Sequence, residues 1–342
     1  MRNTGVYSWS DNASLVHPTL SDPALNFTAV AHRSNKRGVN IEGATVEWGD
    51  GTTNRFFLPG DADTAYINMH FDGRDRSRLT LSYNGPVTLG VPISGGVYHD
   101  TLAAPGQGDV VIAATRGNAV TFAASQNYDG STTIARGASL RLGDGTAKGD
   151  SSLLLSSRYR IVDSGELIAQ NTAEPLHLSK ISGLGALTQA GPATLTLTGN
   201  LTYTGATTVE RGTLAVTGGS LAASNRVELT GPGARLDLTR AGAQTVQNLA
   251  GTAGTLAFGG AVTLAATASI TFGGQIISAG HGRLVKTGLA ALTLTARSRT
   301  PGGSWTIRQG ALRLAGNAAS IQSGVLVAAG AALGGSGRPD RR

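Results

Sequence analysis

The chain has 342 residues, a formal net charge of +7 and a pI of about 10.0. It is rich in glycine, with 49 residues, whereas aromatic residues make up 5% and charged residues 14%. This composition is typical of short strands separated by many turns. The absence of cysteine excludes a cysteine nucleophile, cysteine-ligated zinc and iron–sulfur clusters.

Residues 1–105 are richer in Asp, His, Trp, Phe and Pro than the rest of the chain, and their repeat signal is weak. Apolar and polar residues still alternate at 44–48 and 78–81, which predicts strands. We therefore predict an irregular, β-rich N-terminal part with longer loops. Loops on a rigid scaffold are where binding residues usually lie.

The clearest internal repeat joins two segments, Tyr128–Gly137 and Tyr203–Gly212, which share Tyr, Gly, Thr-Thr and Arg-Gly at the same positions. A more degenerate third copy runs from Gly302 to Gly310. Each copy is followed by a short alternating strand, at 140–142, 214–216 and 312–314. Internal repeats of this kind indicate a stacked, repetitive fold.

The match extends upstream of the second and third copies, so that a unit of about 35 residues recurs. Both begin with a Gly-x-Gly-x-Leu motif, at 183–187 and 280–284, followed by a glycine turn and a Leu-Thr-Leu strand. We assign a structural role in turns to the glycines of the repeats. They are Gly130, Gly137, Gly183, Gly185, Gly191, Gly205, Gly212, Gly280, Gly282, Gly288, Gly302 and Gly310.

Strict alternation at 195–198 and 292–295 places leucines on one side of a strand and threonines on the other. Short strands with internal self-similarity and uneven spacing favour a solenoid over a propeller or a sandwich. We therefore predict an all-β, elongated parallel β-helix. Rungs of about 20–25 residues, stacked at strand spacing, give a rod of roughly 60–80 Å.

The segments 183–216 and 280–314 resemble the passenger-associated transport repeat of type V autotransporters, whose pattern begins Gly-x-Gly-x-Leu-x-Lys-x-Gly. Gly280–Gly288 and Gly199–Gly205 carry this resemblance closely. It implies a right-handed β-helix that is secreted through a C-terminal outer-membrane β-barrel and displayed on a Gram-negative cell. We assign residues 106–337 to this β-helix, with repeat copies at about 108–142, 183–216 and 280–314, and residues 338–342 to a tail outside the family pattern.

No stretch reaches the ~20 apolar residues of a spanning helix, and the N-terminus has no apolar run of signal-peptide length. The pattern of a family barrel does not follow Gly337 either. We therefore expect a passenger fragment without signal peptide or barrel. A non-functional, truncated remnant is an alternative on the same grounds.

Parallel β-helices also include polysaccharide lyases and hydrolases, which use aspartate clusters, often with calcium, and a basic residue. The candidate cluster here is Asp61, Asp63, His70, Asp72, Arg74 and Asp75. It adjoins Pro59-Gly60 and Gly73, and this context favours a solvated polar loop. We predict no catalytic residue and keep a polysaccharide-degrading enzyme as the alternative.

The six histidines are dispersed without ligand spacing, so we predict no metal and no cofactor. There is no zinc finger or RNA-recognition motif to indicate specific nucleic-acid binding. The basic surface suits weak attraction to anionic partners. We expect a non-enzymatic surface passenger, adhesin-like or a stalk, with host-cell, matrix or anionic-glycan partners and with C-terminal repeats that assist folding and secretion.

Overall fold

The computed structural model describes residues 6–9, 13–15, 38–42, 45–48, 66–71, 75–83, 85–95, 105–113, 119–156, 158–316 and 319–336. The chain divides into two compact units, Met1–Glu174 and Pro175–Arg342. In the described residues every regular element is a strand, apart from one 3₁₀ turn at Ala147–Gly149. None of these residues forms a helix long and apolar enough to cross a membrane.

The strands of the first unit are β1 Val6–Trp9, β2 Ala13–Leu15, β3 Gly38–Glu42, β4 Thr45–Trp48, β5 Tyr66–His70, β6 Ser77–Leu81, β7 Val87–Leu89, β8 Ile93–Ser94, β9 Gly108–Ile112, β10 Ala119–Phe122, β11 Ser131–Ile134, β12 Ser139–Leu142, β13 Arg160–Asp163 and β14 Glu166–Ala169. They form three stacks in the orders β2-β1-β3-β5-β8, β4-β6-β9-β11-β13 and β7-β10-β12-β14. Only the β1 pairings with β2 and β3 are antiparallel among the described pairs.

The strands of the second unit are β15 Leu176–Gly183, β16 Ala186–Gln189, β17 Thr194–Tyr203, β18 Thr207–Val209, β19 Thr213–Val216, β20 Val227–Leu229, β21 Arg235–Leu238, β22 Gln244–Gln247, β23 Thr255–Phe258, β24 Ala261–Ala265, β25 Ile270–Phe272, β26 Gln275–Ser278, β27 Arg283–Thr287, β28 Leu292–Leu294, β29 Arg297–Ile307, β30 Ala311–Leu314, β31 Ser320–Val327 and β32 Ala332–Gly335. They stack in the orders β15-β17-β19-β21-β23-β26-β29, β16-β18-β20, β22-β24-β27-β29-β31 and β25-β28-β30-β32. All described pairings in this unit are parallel.

Alternation decides which side chains enter the core. On β17, Leu195 and Leu197 are fully buried while Thr196 faces outward, and the leucines lie over Leu214 and Val216 of β19. Burying one such aliphatic side chain contributes about 1.5–3 kcal/mol. The same inward column is repeated from rung to rung, so a narrow apolar core runs through each unit.

The length of a rung differs between the units. In the second unit paired residues are about twenty positions apart, as for Leu195 with Leu214 and Leu236 with Leu256. In the first unit several intervals are longer, as for Val46 with Leu79, although Val120 and Leu140 are also about twenty positions apart. The extra residues in each of these longer rungs lie in the connections between strands.

In the described residues of the two units, the parallel sheets make about 11 turns of a β-solenoid, which confirms the predicted all-β parallel solenoid. The boundaries proposed at residues 105 and 337 remain predictions.

A buried carboxyl group stands out in the first unit at the end of β13. Asp163 is fully buried; its Oδ1 accepts the N–H of Gly165 at 2.9 Å, and its Oδ2 has no hydrogen-bond partner. Burial raises the pKa of Asp163 to about 7. The N–H of Gly165 opposes this shift, and the negative charge of Glu166 raises the pKa further. At pH values between the pKa of the unfolded chain and that of the folded chain, Asp163 is therefore protonated in the folded state and ionised in the unfolded state.

We predict that Asp163 makes the first unit less stable as the pH rises from about 4 to about 7, because the folded state binds the extra proton in that window. Asp163→Asn removes the buried charge and is expected to raise the free energy of unfolding at pH 8 by about 1–3 kcal/mol, after allowing for an unpaired amide hydrogen. Below pH 4 the variant and the parent should agree. Thermal unfolding followed by circular dichroism across this range measures the difference.

Asp150 provides a control of opposite sign. Burial alone would raise its pKa, but its carboxylate accepts the N–H groups of Thr172, Ala173 and Glu174, each at 2.7 Å, and these donors hold the pKa of Asp150 below its ordinary value. Asp150→Asn should therefore lower the melting temperature at neutral pH. A higher melting temperature for Asp150→Asn, or a parallel pH profile for Asp163→Asn and the parent, would contradict the assignment.

Candidate functional site

The repeat unit found in the sequence corresponds to two stacked layers of strand, turn and strand. In the copy at 183–216 the lower layer is β16 and β17, and the upper layer is β18 and β19. Leu187 lies under Thr207 in one sheet, and Leu195 lies under Leu214 in the other. One repeat therefore spans two successive turns of the solenoid.

The copy at 280–314 has the same construction. Its lower layer is β27 and β28, and its upper layer is the second half of β29 followed by β30. Leu284 lies under Trp305, and Leu292 lies under Leu312.

The first copy, placed at about 108–142 from the sequence, is also a two-layer repeat, although the upstream Gly-x-Gly-x-Leu motif was identified from the sequence only in the other two copies. β9 and β10 form the lower layer, with Val110 paired to Thr132 of β11 and Val120 paired to Leu140 of β12. A Gly-x-Gly-x-Val motif at 106–110 stands where the other copies have Gly-x-Gly-x-Leu. This motif was the available signal, because it lies one rung before Tyr128 just as Gly183 lies one rung before Tyr203.

One glycine of the upper layer sits directly on the backbone of the lower layer in every copy. A Cβ atom on Gly130, Gly205 or Gly303 would overlap the carbonyl oxygen of Gly108, Gly185 or Gly282, respectively. Only glycine permits two backbones to approach so closely. In the third copy this contact belongs to Gly303, the neighbour of the predicted Gly302.

The turn between the upper strands needs a second kind of glycine. Gly212 and Gly310 have φ angles of +65° and +63°, in the left-handed region, and Gly137 of the first copy has +79°. These residues end the Arg-Gly or Gln-Gly pair of the repeat, so their role as turn residues follows from backbone geometry. Of the other predicted turn glycines, Gly183, Gly280 and Gly288 also have positive φ.

A buried hydroxyl pair closes the corner of the first two copies. The hydroxyls of Tyr128 and Thr132 are 2.6 Å apart, and those of Tyr203 and Thr207 are 2.7 Å apart. All four residues are almost fully buried. A buried tyrosine needs a partner for its hydroxyl, and the threonine four residues later supplies it.

The third copy fills the same corner differently. Pro301 stands where the other copies have tyrosine, and Trp305 stands where they have threonine. The indole Nε1 of the buried Trp305 donates to Thr300 Oγ1 at 3.0 Å. The aromatic residue of the third copy thus lies four positions later than the tyrosine of the other copies, and its indole N–H still has a hydrogen-bond partner.

A long polar side chain on the lower layer fastens the next turn. Gln189 Nε2 donates to the carbonyl oxygens of Gly191 at 2.6 Å and Ala193 at 2.8 Å. Lys286 occupies the equivalent position, and its Nζ lies 2.6 Å from the oxygen of Gly288 and 2.8 Å from that of Ala290. The first copy has the fully buried Ile112 at this position and lacks such a donor there.

Lys286 also joins the two layers. Its Nζ reaches the carbonyl oxygen of Thr287 at 2.9 Å and that of Gln309, from the upper layer, at 3.0 Å. The side chain is fully buried, and this burial lowers the pKa of Lys286 below its ordinary value. Four carbonyl dipoles around one ammonium replace the water that it loses.

The polar cluster considered as an enzyme site is only partly within the described residues. Asp61, Asp63, Asp72 and Arg74 lie outside them. His70 is half-buried at the end of β5 and Asp75 is exposed. Within the described parts of the chain no three acidic or histidine side chains are grouped as a metal site.

We predict that Gly205→Ala lowers the free energy of unfolding by about 1–3 kcal/mol, because the new methyl group must displace the backbone of the lower layer. Gly233→Ala is the matched control, since a Cβ at Gly233 meets nothing within 4 Å, and it should change stability by less than about 0.5 kcal/mol. Urea unfolding measures both. Equal stability of the two variants would show that the layers separate more easily than their spacing suggests.

We predict that Lys286→Met costs about 3 kcal/mol or more, because it leaves several buried carbonyl oxygens without a donor. Lys286→Gln should cost much less, since Gln189 performs the same task in the preceding copy. Guanidinium unfolding of the two variants gives the comparison. If methionine is tolerated as well as glutamine, packing of the aliphatic stem, rather than donation to the turn, explains the position.

Two of these repeats match a known family. The family described as passenger-associated-transport-repeat matches residues 187–216 and 284–314, which begin and end within the strands of the second and third two-layer repeats. Neither the curated proteins nor the solved structures gave a match. Two segments of the chain are therefore similar to the passenger-associated transport repeat, and these matches, together with the parallel β-solenoid fold, are consistent with an autotransporter passenger.

Proposed function

We propose that the chain acts at, or is released from, the surface of a Gram-negative bacterium as a non-enzymatic passenger, adhesin-like or as a stalk. The observation that carries this proposal is the pair of family repeats, each of which is one complete two-layer module of the solenoid. The cysteine-free composition supports an export route that requires an extended chain, since no disulfide can form in the periplasm. In the family resemblance, the route runs through an outer-membrane β-barrel.

The C-terminal repeats are well suited to assist folding during secretion. Each module joins strands only about twenty residues apart, so its contacts form with a small loss of chain entropy. In a solenoid each turn contacts only its neighbours, and a folded module is a template for the next turn. The buried ammonium of Lys286 and the amide of Gln189 hold the turns of both modules.

We expect surface exposure in the native bacterium. Antibody against residues 183–316 should detect the protein on intact cells, and external protease should remove the signal while a periplasmic marker protein stays protected. A strain that lacks the gene is the control for antibody specificity. A band that resists external protease in intact cells would contradict display at the surface.

The non-enzymatic part of the proposal has its own test. If it is adhesin-like, the purified protein should bind cells or matrix without degrading them. If it is a stalk, it should neither bind nor degrade them. Degradation of polygalacturonate that disappears in Asp63→Ala would overturn this part and favour the polysaccharide-degrading alternative.

A further inference from the structure

The positive charge of the chain is concentrated in its last third. Residues 238–342 contain ten Lys and Arg but one acidic residue, Asp340, whereas residues 1–237 contain eighteen basic and twenty acidic residues. Thus a weakly negative part of the chain precedes a strongly positive one. This asymmetry indicates that the last third favours anionic partners.

Two exposed arginines, Arg283 and Arg308, lie on one outer face of the second unit, formed by β27 and by the second halves of β29 and β31 (304–307 and 324–327). Arg283 is the first residue of β27 and pairs with Ser304, which in turn pairs with Gly324 of β31. Arg308 follows the end of β29, four residues beyond Ser304. At strand rise, the two arginines are about 13 Å apart along the face.

A shallow groove of about 490 Å³ lies on this face beside Arg283. Its lining includes the hydroxyl-bearing residues Ser304, which is exposed, and Thr306, which is 8% exposed, together with the apolar Leu326, which is 67% exposed. Gly324 leaves the groove open, since a Cβ there would meet nothing within 4 Å. The groove thus offers a guanidinium fork, hydroxyl groups and an apolar wall in one place.

This combination suits a sugar that carries a negative charge. A guanidinium binds sulfate or carboxylate with two parallel hydrogen bonds, hydroxyl residues match sugar hydroxyls, and the apolar wall accepts the C–H face of a ring. Single-stranded nucleic acid is a poorer match, because it binds through exposed aromatic side chains. The aromatic residue of this groove, Trp305, has its side chain buried at 1% exposure.

We propose that the outer face of β27, β29 and β31 binds a segment of an anionic polysaccharide, with one acidic sugar in the groove beside Arg283 and a second anionic group at Arg308. The inference names a ligand class for the proposed surface protein and rests on that proposed function for its biological setting. Its test uses the purified full chain, so it can fail while surface display stands, and the reverse also holds.

The experiment measures the dissociation constant of the purified chain for dextran sulfate, with neutral dextran of the same length beside it. The parent should bind only the sulfated polymer, and more weakly as salt is added. Arg283→Gln with Arg308→Gln should weaken binding at least tenfold. Gly324→Gln, which fills the groove with no backbone strain, should weaken it at least threefold.

The matched control is Arg136→Gln with Arg211→Gln, which removes two exposed arginines from other parts of the chain and should change binding less than twofold. Circular dichroism tests whether each variant is folded. If the glutamine pair is not folded, Arg283→Lys with Arg308→Lys takes its place, and an intermediate loss of binding is expected. An equal loss in the control pair, an unchanged Gly324→Gln, or tighter binding of duplex DNA than of dextran sulfate would overturn the proposal.

Discussion

Each strand of the solenoid lies directly over the strand one turn earlier, at a spacing of about 4.8 Å, and this parallel stacking constrains every other feature. Each strand residue must pack against the paired residue of the next rung. Where two turns meet closely, only glycine fits, as at Gly205 over Gly185. Where a polar side chain enters the core, its partner must come from the same or an adjacent rung, as for Tyr203 with Thr207. The repeat is the sequence record of these contacts.

The same constraint explains why a lysine is acceptable in the core. The ammonium of Lys286 lies beside carbonyl oxygens of the turn in the lower layer and one carbonyl oxygen of the upper layer. Its N–H groups therefore have acceptors on all sides. Gln189 meets the smaller need of the preceding module with one amide. Asp163 is the contrasting case, because one of its oxygens has no partner and its proton is retained instead.

Much of the fold could be predicted from the sequence, since Leu-x-Leu alternation fixes strands and glycine spacing fixes turns. The two-layer nature of the repeat could not, because register is a relation between rungs. The first copy was placed at about 108–142, but its Gly-x-Gly motif at 106–110 was not identified, since Val110 replaces leucine and Ile112 replaces the polar donor. Trp305, in the position of a threonine, makes the third copy more degenerate without hiding it. The groove beside Arg283 depends on Gly324, one rung away, and no local pattern reveals it.

A repeat that contains two layers also sets how such a chain can change its length. Its first strand and the first strand of its upper layer belong to the same sheet, as β16 and β18 do, so a duplicated module returns to the sheet on which it began. Gain or loss of one module would then lengthen or shorten the solenoid by two strand spacings, about 10 Å, with the inward and outward faces preserved. Recombination between neighbouring copies can therefore adjust the reach of the protein without any new packing solution.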